Sequence, residues 1–263
     1  MKPQLHHPIL QTIYYLSLVQ YILKIMDPKE QFNKQAKFYS SSKTFSAGES
    51  LDILSKLISK RNFKSGLDIG TGAGFAAFEL SKYCQEVEAT DISEGMINEA
   101  KKIMKERKII NLNFNLMPAE NLNFNDSNFD IISCRTAAHH FLDVEKFCYE
   151  SKRVLRNDGE IIIVDTITSD QLKLNEWHQE VELIRDKSHK KNLSMIEWKN
   201  IFKKAKLEII EIIQSRVNMN LSDWMERSGT SDEDKEILKN KFLKIIYAGK
   251  KAQVNFCKLS IYY

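Results

Sequence analysis

The chain has 263 residues, of which 43% are hydrophobic, so it can form one large α/β domain or one domain with a cap over its site. Its formal net charge is only +4, with lysines and arginines scattered among nearly as many acids, which argues against a nucleic-acid-binding surface. The four cysteines lie far apart without a C-x-x-C motif, which favours reduced, buried thiols in a cytoplasmic protein.

The first 25 residues are unlike the rest of the chain. Residues 9–26 are rich in isoleucine, leucine and tyrosine, but polar residues interrupt this run, and its length is marginal for a membrane span. The segment lacks the small-residue cleavage site of a signal peptide, and Met26, which a charged stretch follows, resembles a natural start. We therefore predict an appendage at 1–25 and a single domain at 26–263. The alternative is an amphipathic anchor at 1–25 that makes a peripheral contact with a membrane.

Strand and helix patterns alternate from residue 26 onwards. Ser50 is the expected N-cap of an early helix, and Asp143 is the expected N-cap of a later helix that the run Asn157-Asp158-Gly159 ends. This alternation predicts a doubly wound, mostly parallel sheet. The predicted elements are helices near 30–40 and 50–60, strand 66–70, helix 75–83, strand 86–91, helix 94–107, strands 112–116 and 129–134, helix 144–155 and strand 160–165.

The pattern changes after Asp165. A capping box at Ser194 and Glu197 opens one of the helices in this part of the chain. We expect residues 168–250 to contribute cap helices, and the complete sheet to have seven strands. The predicted elements are a charged helix within 170–191, a helix from 194, a strand at 207–214, helices within 222–248, and an edge or antiparallel strand at 254–263.

A glycine-rich turn follows the first predicted strand. Residues 66–74 read Gly-Leu-Asp-Ile-Gly-Thr-Gly-Ala-Gly, and Asp91 stands at the end of the second strand. Glycines let a ligand approach main-chain N–H groups without an intervening Cβ, and the N-terminus of the next helix favours electron-rich groups. A carboxylate about 20 residues further on suits a ribose, because it can accept hydrogen bonds from both hydroxyls. The motif therefore predicts a site for an adenosine-containing cofactor.

The spacing of the glycines distinguishes between cofactors. A dinucleotide site prefers G-x-G-x-x-G, whereas Phe75 occupies the position of the third glycine here. Asp68 would place negative charge near a pyrophosphate, and no G-x-x-x-x-G-K-[ST] loop is present. S-adenosylmethionine, which has a sulfonium, an ammonium and a ribose, fits the turn together with Asp68 and Asp91. We therefore predict S-adenosylmethionine as the cofactor, with a nicotinamide cofactor as the alternative.

Two histidines follow the fourth predicted strand. Ligands of such sheets bind beyond the C-terminal strand ends, where the glycine turn, Asp91, residues 134–140 and Asp165 are expected to meet. A histidine titrates near neutral pH and can remove a proton from a phenol, carboxylate or amine acceptor. His139 is the first choice because it comes earlier after the strand end, and His140 is the second; a structural role for one of them is the alternative. No cluster of further ligands accompanies them in the sequence, so we expect no metal site.

The acceptor pocket is expected to form between the strand ends and the cap. The segments that leave the strand ends or arch over them would bring the two histidines together with residues of the 168–191 cap. The further residues predicted to line the pocket are Tyr39, Arg135 and, as a wall, Trp177.

Several motifs carry a family resemblance. They are Leu67–Gly74, Asp91-Ile92-Ser93 with Met96 and Ala100, Ala119–Leu122, Phe129–Arg135, Val154-Leu155 with Asp158-Gly159, and Ile163-Val164-Asp165. In these the chain resembles the class I S-adenosylmethionine-dependent methyltransferases, and more narrowly the methyltransferase type 11 group near the ubiquinone/menaquinone C-methyltransferases. Runs at 134–141, 185–189 and 197–198 are also similar to a bacterial subgroup of unassigned small-molecule methyltransferases. The resemblance covers about residues 35–263.

The resemblance implies a Rossmann-like methyltransferase fold and assigns cofactor contacts. By it, Gly70 and Gly72 approach the methionine part, Asp91 binds the ribose, and Ala119 and Glu120 border the adenine. The run after the fourth strand departs from the Gly-Ile-Arg-Asn type of the quinone enzymes, so quinone methylation is not implied. The complete cofactor-binding set that we expect is Asp68, Gly70, Thr71, Gly72, Gly74, Asp91, Ile92, Met96, Ala119, Glu120 and Cys134.

We therefore predict a methyltransferase that acts on carbon or oxygen of a small, fairly apolar acceptor. The alternatives are a cofactor-binding module without turnover, such as a sensor or partner protein, and a nicotinamide oxidoreductase. Phe75 and Asp68 argue against the oxidoreductase, while the intact acid pair and the two histidines favour the enzyme over the module. The Asn-Pro-Pro-Tyr-like run of enzymes that methylate nucleic-acid amines is absent from the sequence, so we expect a small-molecule acceptor and no nucleic acid. The sequence does not predict the oligomeric state.

Overall fold

The computed structural model describes residues 27–41, 46–216, 220–247 and 257–262. The predicted appendage at 1–25 lies outside these residues. Within the part of the chain that the structure describes, no helix is both long and apolar enough to cross a membrane.

Helices and strands alternate over most of the chain up to residue 167, and the described residues after it add four helices and two strands. The elements up to the cap are α1 (Pro28–Ser41), α2 (Glu49–Ile58), β1 (Phe63–Ile69), α3 (Phe75–Leu80), β2 (Cys84–Asp91), α4 (Glu94–Glu106), β3 (Leu112–Leu116), β4 (Phe129–Arg135), α5 (Val144–Val154) and β5 (Leu155–Ile167). The remaining elements are α6 (Leu172–Arg185), α7 (Met195–Lys204), β6 (Glu211–Arg216), α8 (Leu221–Glu226), α9 (Asp232–Tyr247) and β7 (Cys257–Tyr262).

The described strands form one seven-stranded sheet in the order β3-β2-β1-β4-β5-β7-β6. Strands β1 to β5 pair in parallel, and β7 runs antiparallel to both β5 and β6. The strand order reverses between β1 and β4, and the crevice at such a reversal is where ligands bind in doubly wound sheets. The predicted fold class, a doubly wound and mostly parallel α/β sheet of the Rossmann-like type, is confirmed.

Apolar side chains cover both faces of the central strands. Ile131 and Ile132 are neighbours on β4 and both are fully buried, because successive strand residues point to opposite faces. Ile132 packs on the side of α5 and α7, with Phe147 and Trp198, whereas Ile131 packs on the side of α2 and α3, with Phe78. Burial on both faces is typical of a parallel sheet and explains the nearly continuous apolar runs of these strands.

The predicted helix termini are partly correct. The Asp143 side chain accepts from the Lys146 N–H and caps α5, and Ser194 forms the predicted capping box with Glu197 at α7. The prediction for Ser50 is wrong, because α2 begins one residue earlier, at Glu49, after Gly48 as its N-cap. The buried Ser50 hydroxyl instead accepts a hydrogen bond from Arg135 at 3.0 Å.

Predicted element boundaries and the predicted place of the last strand also differ in part from the structure. The run Asn157-Asp158-Gly159 does not separate α5 from β5, since β5 begins at Leu155 directly after the helix and shifts register against β4 within this stretch. The strand predicted from residue 207 begins only at Glu211, because Leu207 is buried in the main core. The last strand is antiparallel, as predicted, but it lies between β5 and β6 and not at the edge.

Helix α1 packs against α4 through a side-chain cap. The Asn33 Oδ1 atom accepts from the Ser93 hydroxyl at 2.8 Å and from the Gly95 N–H at 2.9 Å. These donors lie at the N-terminus of α4, where backbone N–H groups have no partner within the helix. The Ser93 N–H in turn donates to Asp91, so α1 is joined by hydrogen bonds to the loop that carries the predicted ribose ligand.

Candidate functional site

A cavity of about 370 Å³ opens at the C-terminal ends of β1, β2 and β4. Its wall comprises the glycine turn, the ends of the neighbouring strands, the loop after β3, the turn after β4 and part of α1. The cavity therefore lies at the reversal of strand order. The predicted site residues that line it are Tyr39, Gly70, Thr71, Gly72, Asp91, Ile92, Met96, Ala119, Glu120, Arg135 and His140.

The glycine turn lets a ligand come close to the backbone. Gly70 and Gly72 have φ angles of 67° and 53°, in the left-handed region that favours glycine. A Cβ built on Gly70 would lie 2.7 Å from the Ala137 side chain, so Gly70 is required for packing against the turn after β4. A Cβ on Gly72 would have no neighbour within 4 Å, which places the Gly72 backbone against open cavity space. Gly72 therefore fits the cofactor-approach position.

Asp91 is held by the backbone with both carboxylate oxygens. Oδ2 accepts from the Gly72 N–H at 2.8 Å, and Oδ1 accepts from the Ser93 N–H at 2.8 Å. Each carboxylate oxygen can accept more than one hydrogen bond, so both keep acceptor capacity for a ligand. Burial raises the pKa of Asp91 to about 6, although these backbone donors oppose the shift. The geometry fits recognition of a ribose diol.

Asp68 and Gly74 lie behind the cavity wall. Asp68 is 1% exposed, and the Ser133 hydroxyl donates to its Oδ1 atom at 2.5 Å. Burial raises the pKa of Asp68 to about 6, against the effect of that hydrogen bond and of nearby Arg135. A Cβ on Gly74 would lie 2.7 Å from the Phe78 ring of α3 and 3.1 Å from the Ala100 side chain of α4, so Gly74 is required for close packing between the turn and these two helices. Neither residue is among the described residues that line the cavity.

The remaining predicted cofactor residues come from two segments. Ile92 precedes α4 and Met96 lies in its first turn, while Ala119 and Glu120, which are predicted to border the adenine, come from the loop after β3. The Glu120 carboxylate accepts from the Leu142 N–H at 2.8 Å, so it ties this loop to the segment before α5. Cys134, which we also expected here, is instead 1% exposed in the main core and is not among the described lining residues.

His139 is bound to Asp165, and it is not one of the described residues that line the cavity. Its Nδ1 atom lies 2.6 Å from Asp165 Oδ1, and its backbone N–H donates to Oδ2 at 3.0 Å. Although burial opposes the shift, the Asp165 carboxylate raises the pKa of His139. Both side chains are buried, so His139 and Asp165 form an internal ion pair. This placement does not support the expectation that His139 touches the acceptor.

His140 does line the cavity. Its Nδ1 atom lies 3.2 Å from the Ser188 hydroxyl, and the Phe32 ring from α1 meets its ring edge-on with centroids 4.8 Å apart. Burial and the neighbouring His139 lower the pKa of His140 to about 4. His140 is therefore a neutral imidazole at neutral pH, held on one side and accessible from the cavity on the other.

The three residues predicted for the acceptor pocket divide into two groups. Tyr39 and Arg135 line the cavity, and burial lowers the pKa of Arg135 to about 10 while nearby Asp68 opposes the shift. Burial raises the pKa of Tyr39, and the Asp186 carboxylate adds to the effect, so its phenol is protonated at neutral pH. Trp177 instead packs edge-on against Phe242 in a separate apolar cluster of the cap helices.

Sequence reasoning missed several residues at this site. Phe32 and Lys190 line the cavity, and the Ser188 hydroxyl is within hydrogen-bond distance of both His140 and Asp186. Backbone N–H groups of Lys190 and Lys191 also donate to the His139 carbonyl, which docks the cap loop on the histidine turn. The 185–189 run was a usable signal, because it is one of the segments that resemble the bacterial subgroup.

The raised pKa of Asp91 predicts that cofactor affinity depends on pH. The carboxylate accepts ribose hydroxyls best when it is ionised, so affinity for S-adenosylmethionine should decrease as pH falls from 7.5 through about 6 to 5. Replacing Asp91 with alanine should weaken binding roughly tenfold to a hundredfold at pH 7.5 and reduce this pH dependence. Isothermal titration calorimetry of both proteins at several pH values measures the effect. Equal affinities at pH 7.5 would remove Asp91 as the ribose ligand.

Comparisons with known proteins agree with the resemblance found in the sequence. A model of the methyltransferase domain family matches residues 67–163, a stretch that contains the glycine turn, Asp91 and both histidines. The chain is 34% identical over 233 residues to the uncharacterized methyltransferase YcgJ of Bacillus subtilis (strain 168), covering 88% of this chain and 90% of YcgJ. A shorter match, 31% identical, covers 42% of this chain and 46% of a demethylmenaquinone methyltransferase of Bacteroides fragilis.

Solved structures resemble the fold over most of the chain. The crystal structure of YcgJ has a TM-score of 0.70 and 30% identity, and covers 81% of this chain and 95% of that one. A putative methyltransferase (BH2331) of Bacillus halodurans C-125 has a TM-score of 0.72 and 25% identity, with 81% and 94% coverage. The similarity to each of these structures therefore extends over about four fifths of this chain.

Proposed function

Because the chain belongs to the S-adenosylmethionine-dependent methyltransferases, we propose that it methylates an oxygen or an acidic carbon of a small, fairly apolar acceptor. His140 is proposed to remove the proton of that acceptor. The observation that carries the proposal is the position of a neutral histidine in the wall of the cavity that also holds Gly72 and Asp91. The cofactor is S-adenosylmethionine, which supplies an electrophilic methyl group when it is bound.

The residues on one side of the cavity fit this cofactor. The open space at Gly72 admits a ligand to the backbone, and Asp91 keeps acceptor capacity for a ribose. Ile92, Met96 and Ala119 supply apolar surface for an adenine. Much of the rate acceleration of a methyl transfer comes from holding the two reactants in line, which a preformed cavity does by position alone.

The remaining wall indicates the character of the acceptor. Phe32 and Phe141 give this part of the cavity apolar surface, which favours a fairly apolar body and excludes water from the reaction. Arg135 and Lys190 are cations in the same wall and favour an acceptor with an acidic group. An acceptor with an O–H or an acidic C–H satisfies both features, and it also needs a base.

The choice of His140 over His139 follows from their partners. The Asp165 carboxylate binds both the ring Nδ1 and the backbone N–H of His139. His140 lies in the cavity wall, so a lone pair of its imidazole can accept a proton from a molecule bound there. We therefore assign the base to His140 and a structural ion pair to His139.

The setting of the reaction is also part of the proposal. Cys84, Cys134 and Cys148 are buried free thiols, which supports a reducing compartment such as the cytoplasm. The apolar cavity supports a small-molecule acceptor and no nucleic acid. We also retain the assignment of 1–25 as an appendage to the methyltransferase domain at 26–263, with an amphipathic membrane contact as its alternative.

A screen of candidate acceptors tests the proposed reaction. The purified protein and S-adenosylmethionine are incubated with apolar phenols, carboxylic acids, compounds with an acidic C–H, and amines as the comparison class. Mass spectrometry should detect the gain of one methyl on oxygen or carbon. Exclusive methylation of nitrogen would contradict the proposal, and tight cofactor binding with no product from any class would support a binding module without turnover.

A further inference from the structure

The loop between α6 and α7 brings two polar side chains to the histidine turn. Asp186 is 1% exposed and Ser188 is fully buried, so solvent does not compete for their hydrogen bonds. The Ser188 Oγ atom lies 2.6 Å from Asp186 Oδ1 and 3.2 Å from His140 Nδ1. The hydrogen bonds therefore connect Asp186 through Ser188 to His140 in the cavity wall.

The direction of each hydrogen bond follows from what Asp186 accepts. Its Oδ1 atom also receives the Ser188 N–H at 2.9 Å and the Gln31 side-chain amide at 2.9 Å. Although burial opposes the shift, Arg185 and the two hydrogen bonds from Ser188 lower the pKa of Asp186, so this carboxylate is ionised and only accepts. The Ser188 hydroxyl hydrogen must then point to Asp186.

That direction fixes the proton on His140. Because the Ser188 hydroxyl donates its only hydrogen to Asp186, its oxygen can only accept from His140. The Nδ1 atom of a neutral His140 therefore carries the hydrogen, and Nε2 carries the lone pair. Nδ1 is occupied at Ser188, which leaves Nε2 as the ring nitrogen that meets a molecule in the cavity.

We propose that Asp186 and Ser188 are positioning residues that hold His140 in the Nδ1–H tautomer, with Nε2 directed to the proton of the methyl acceptor. This inference rests on the proposed function, in which His140 is the base. In the reaction the acceptor O–H or C–H bond breaks and an Nε2–H bond forms. The electron pair stays on the acceptor atom and becomes the nucleophile. Asp186 then compensates the charge of the imidazolium through Ser188.

The charges around His140 suit this arrangement. His139 is a like-charge neighbour when protonated, with ring centroids 4.1 Å apart, and it disfavours protonation of His140 before an acceptor is present. Asp186 and Asp165 favour the protonated form, and His189 lies 6.4 Å away between ring centroids. Lys190 contributes a further cation to the same wall. The balance keeps His140 neutral at rest, with an anion connected to its far side.

Nitrogen NMR of the full-length protein tests the tautomer without reference to activity. Long-range proton–nitrogen spectra of protein labelled with 15N-histidine distinguish a protonated from an unprotonated ring nitrogen, and the signals missing in His140→Ala assign His140. Wild type at pH 7.5 should show a protonated Nδ1 and an unprotonated Nε2. The opposite tautomer would overturn the inference, whatever the activity of the protein.

Kinetics of variants test the positioning role. Ser188→Ala should lower kcat about tenfold to a hundredfold, with KM nearly unchanged, and it should mix the two tautomers in the spectra. Ser188→Thr, which restores a hydroxyl, should recover both kcat and the single tautomer. Ser151→Ala is the matched control, because Ser151 is equally buried but lies on α5 outside the described cavity wall, so kcat should stay unchanged.

The outcomes separate this inference from the proposed function. If wild type shows the Nδ1–H tautomer but Ser188→Ala keeps a normal kcat, the positioning role would be overturned and His140 would remain the base. Normal kcat in His140→Ala would instead overturn the proposed base, even if the tautomer is the expected one. A loss of kcat in Ser188→Ala that Ser188→Thr does not recover, with the spectra unchanged, would assign Ser188 to packing and also overturn the inference.

Discussion

Replacing His140 with alanine should lower kcat by about 10²–10⁴, while affinity for S-adenosylmethionine stays nearly unchanged. The physical reason is that an acceptor O–H or C–H is a poor nucleophile until its proton is removed, and His140 is the histidine in the cavity wall. Initial rates with an acceptor from the screen, together with calorimetry of cofactor binding, measure the two quantities. The loss should be largest near neutral pH and should shrink at high pH, where an acidic acceptor ionises without help.

A matched histidine gives the control for this variant. His189 is buried like His140 and lies 6.4 Å from it between ring centroids, but it bonds Gln179 and is not among the described lining residues. His189→Asn should therefore leave kcat nearly unchanged even if it lowers the melting temperature. Full activity with normal stability in both His139→Ala and His140→Ala would leave positioning of the reactants as the mechanism. A rise in KM without a fall in kcat would assign His140 to binding of the acceptor.

Replacing Asp165 with alanine should have the largest effect on stability, a loss of about 3–5 kcal/mol in the free energy of unfolding. Asp165 is 1% exposed and accepts from His139 twice and from the Thr166 N–H at 2.7 Å. Without the carboxylate, a buried imidazole and two buried N–H groups lose their partner. Urea unfolding at pH 6 measures the change, and Asp165→Asn, which keeps an acceptor oxygen but not the charge, should lose less.

The pH dependence of this difference has a definite sign. The pKa of His139 is raised, so its stabilising effect is complete below its ordinary value of about 6.5 and is lost as pH rises through the higher folded-state pKa. The pKa of Asp165 is lowered, although burial opposes the shift, so its effect is present above about 4 and is lost on further acidification. The free energies of unfolding of wild type and Asp165→Ala should therefore differ most between about pH 4 and 6.5 and less at pH 9. An equal difference at pH 5.5 and 9 would contradict a charged pair.

The local sequence was sufficient to predict that the glycine turn and Asp91 lie together. A glycine turn after an apolar strand, with an acid at the end of the next strand, forces the turn and Asp91 to the same edge of a parallel sheet. The structure accordingly places Gly70, Gly72 and Asp91 in one cavity wall. Helix caps such as Asp143 and Ser194 were also predictable, because a cap depends on residues only three positions apart.

The acceptor half depended on contacts between distant parts of the chain. Ser188 is 48 residues from His140, and Gln31 is 155 residues from Asp186, so no local pattern pairs them. The same holds for Phe32, which reaches His140 because α1 packs on α4. Trp177 was wrongly expected in the pocket for the same reason. Its place in the cap suggested a wall of the pocket, but α6 packs against α9, and Trp177 therefore lies against the apolar cluster of the cap helices.

The two adjacent histidines mark the boundary between these two kinds of information. The sequence by itself determined that both follow β4 and lie near the strand ends, because chain connectivity imposes that position. It did not determine which ring faces the cavity, since neighbouring residues in a tight turn point in different directions. Asp165 on β5 binds one ring, and Ser188 on the cap loop binds the other. Only the tertiary structure brings Asp165 to His139 and Ser188 to His140. These hydrogen bonds decide which of the two histidines can act as a base.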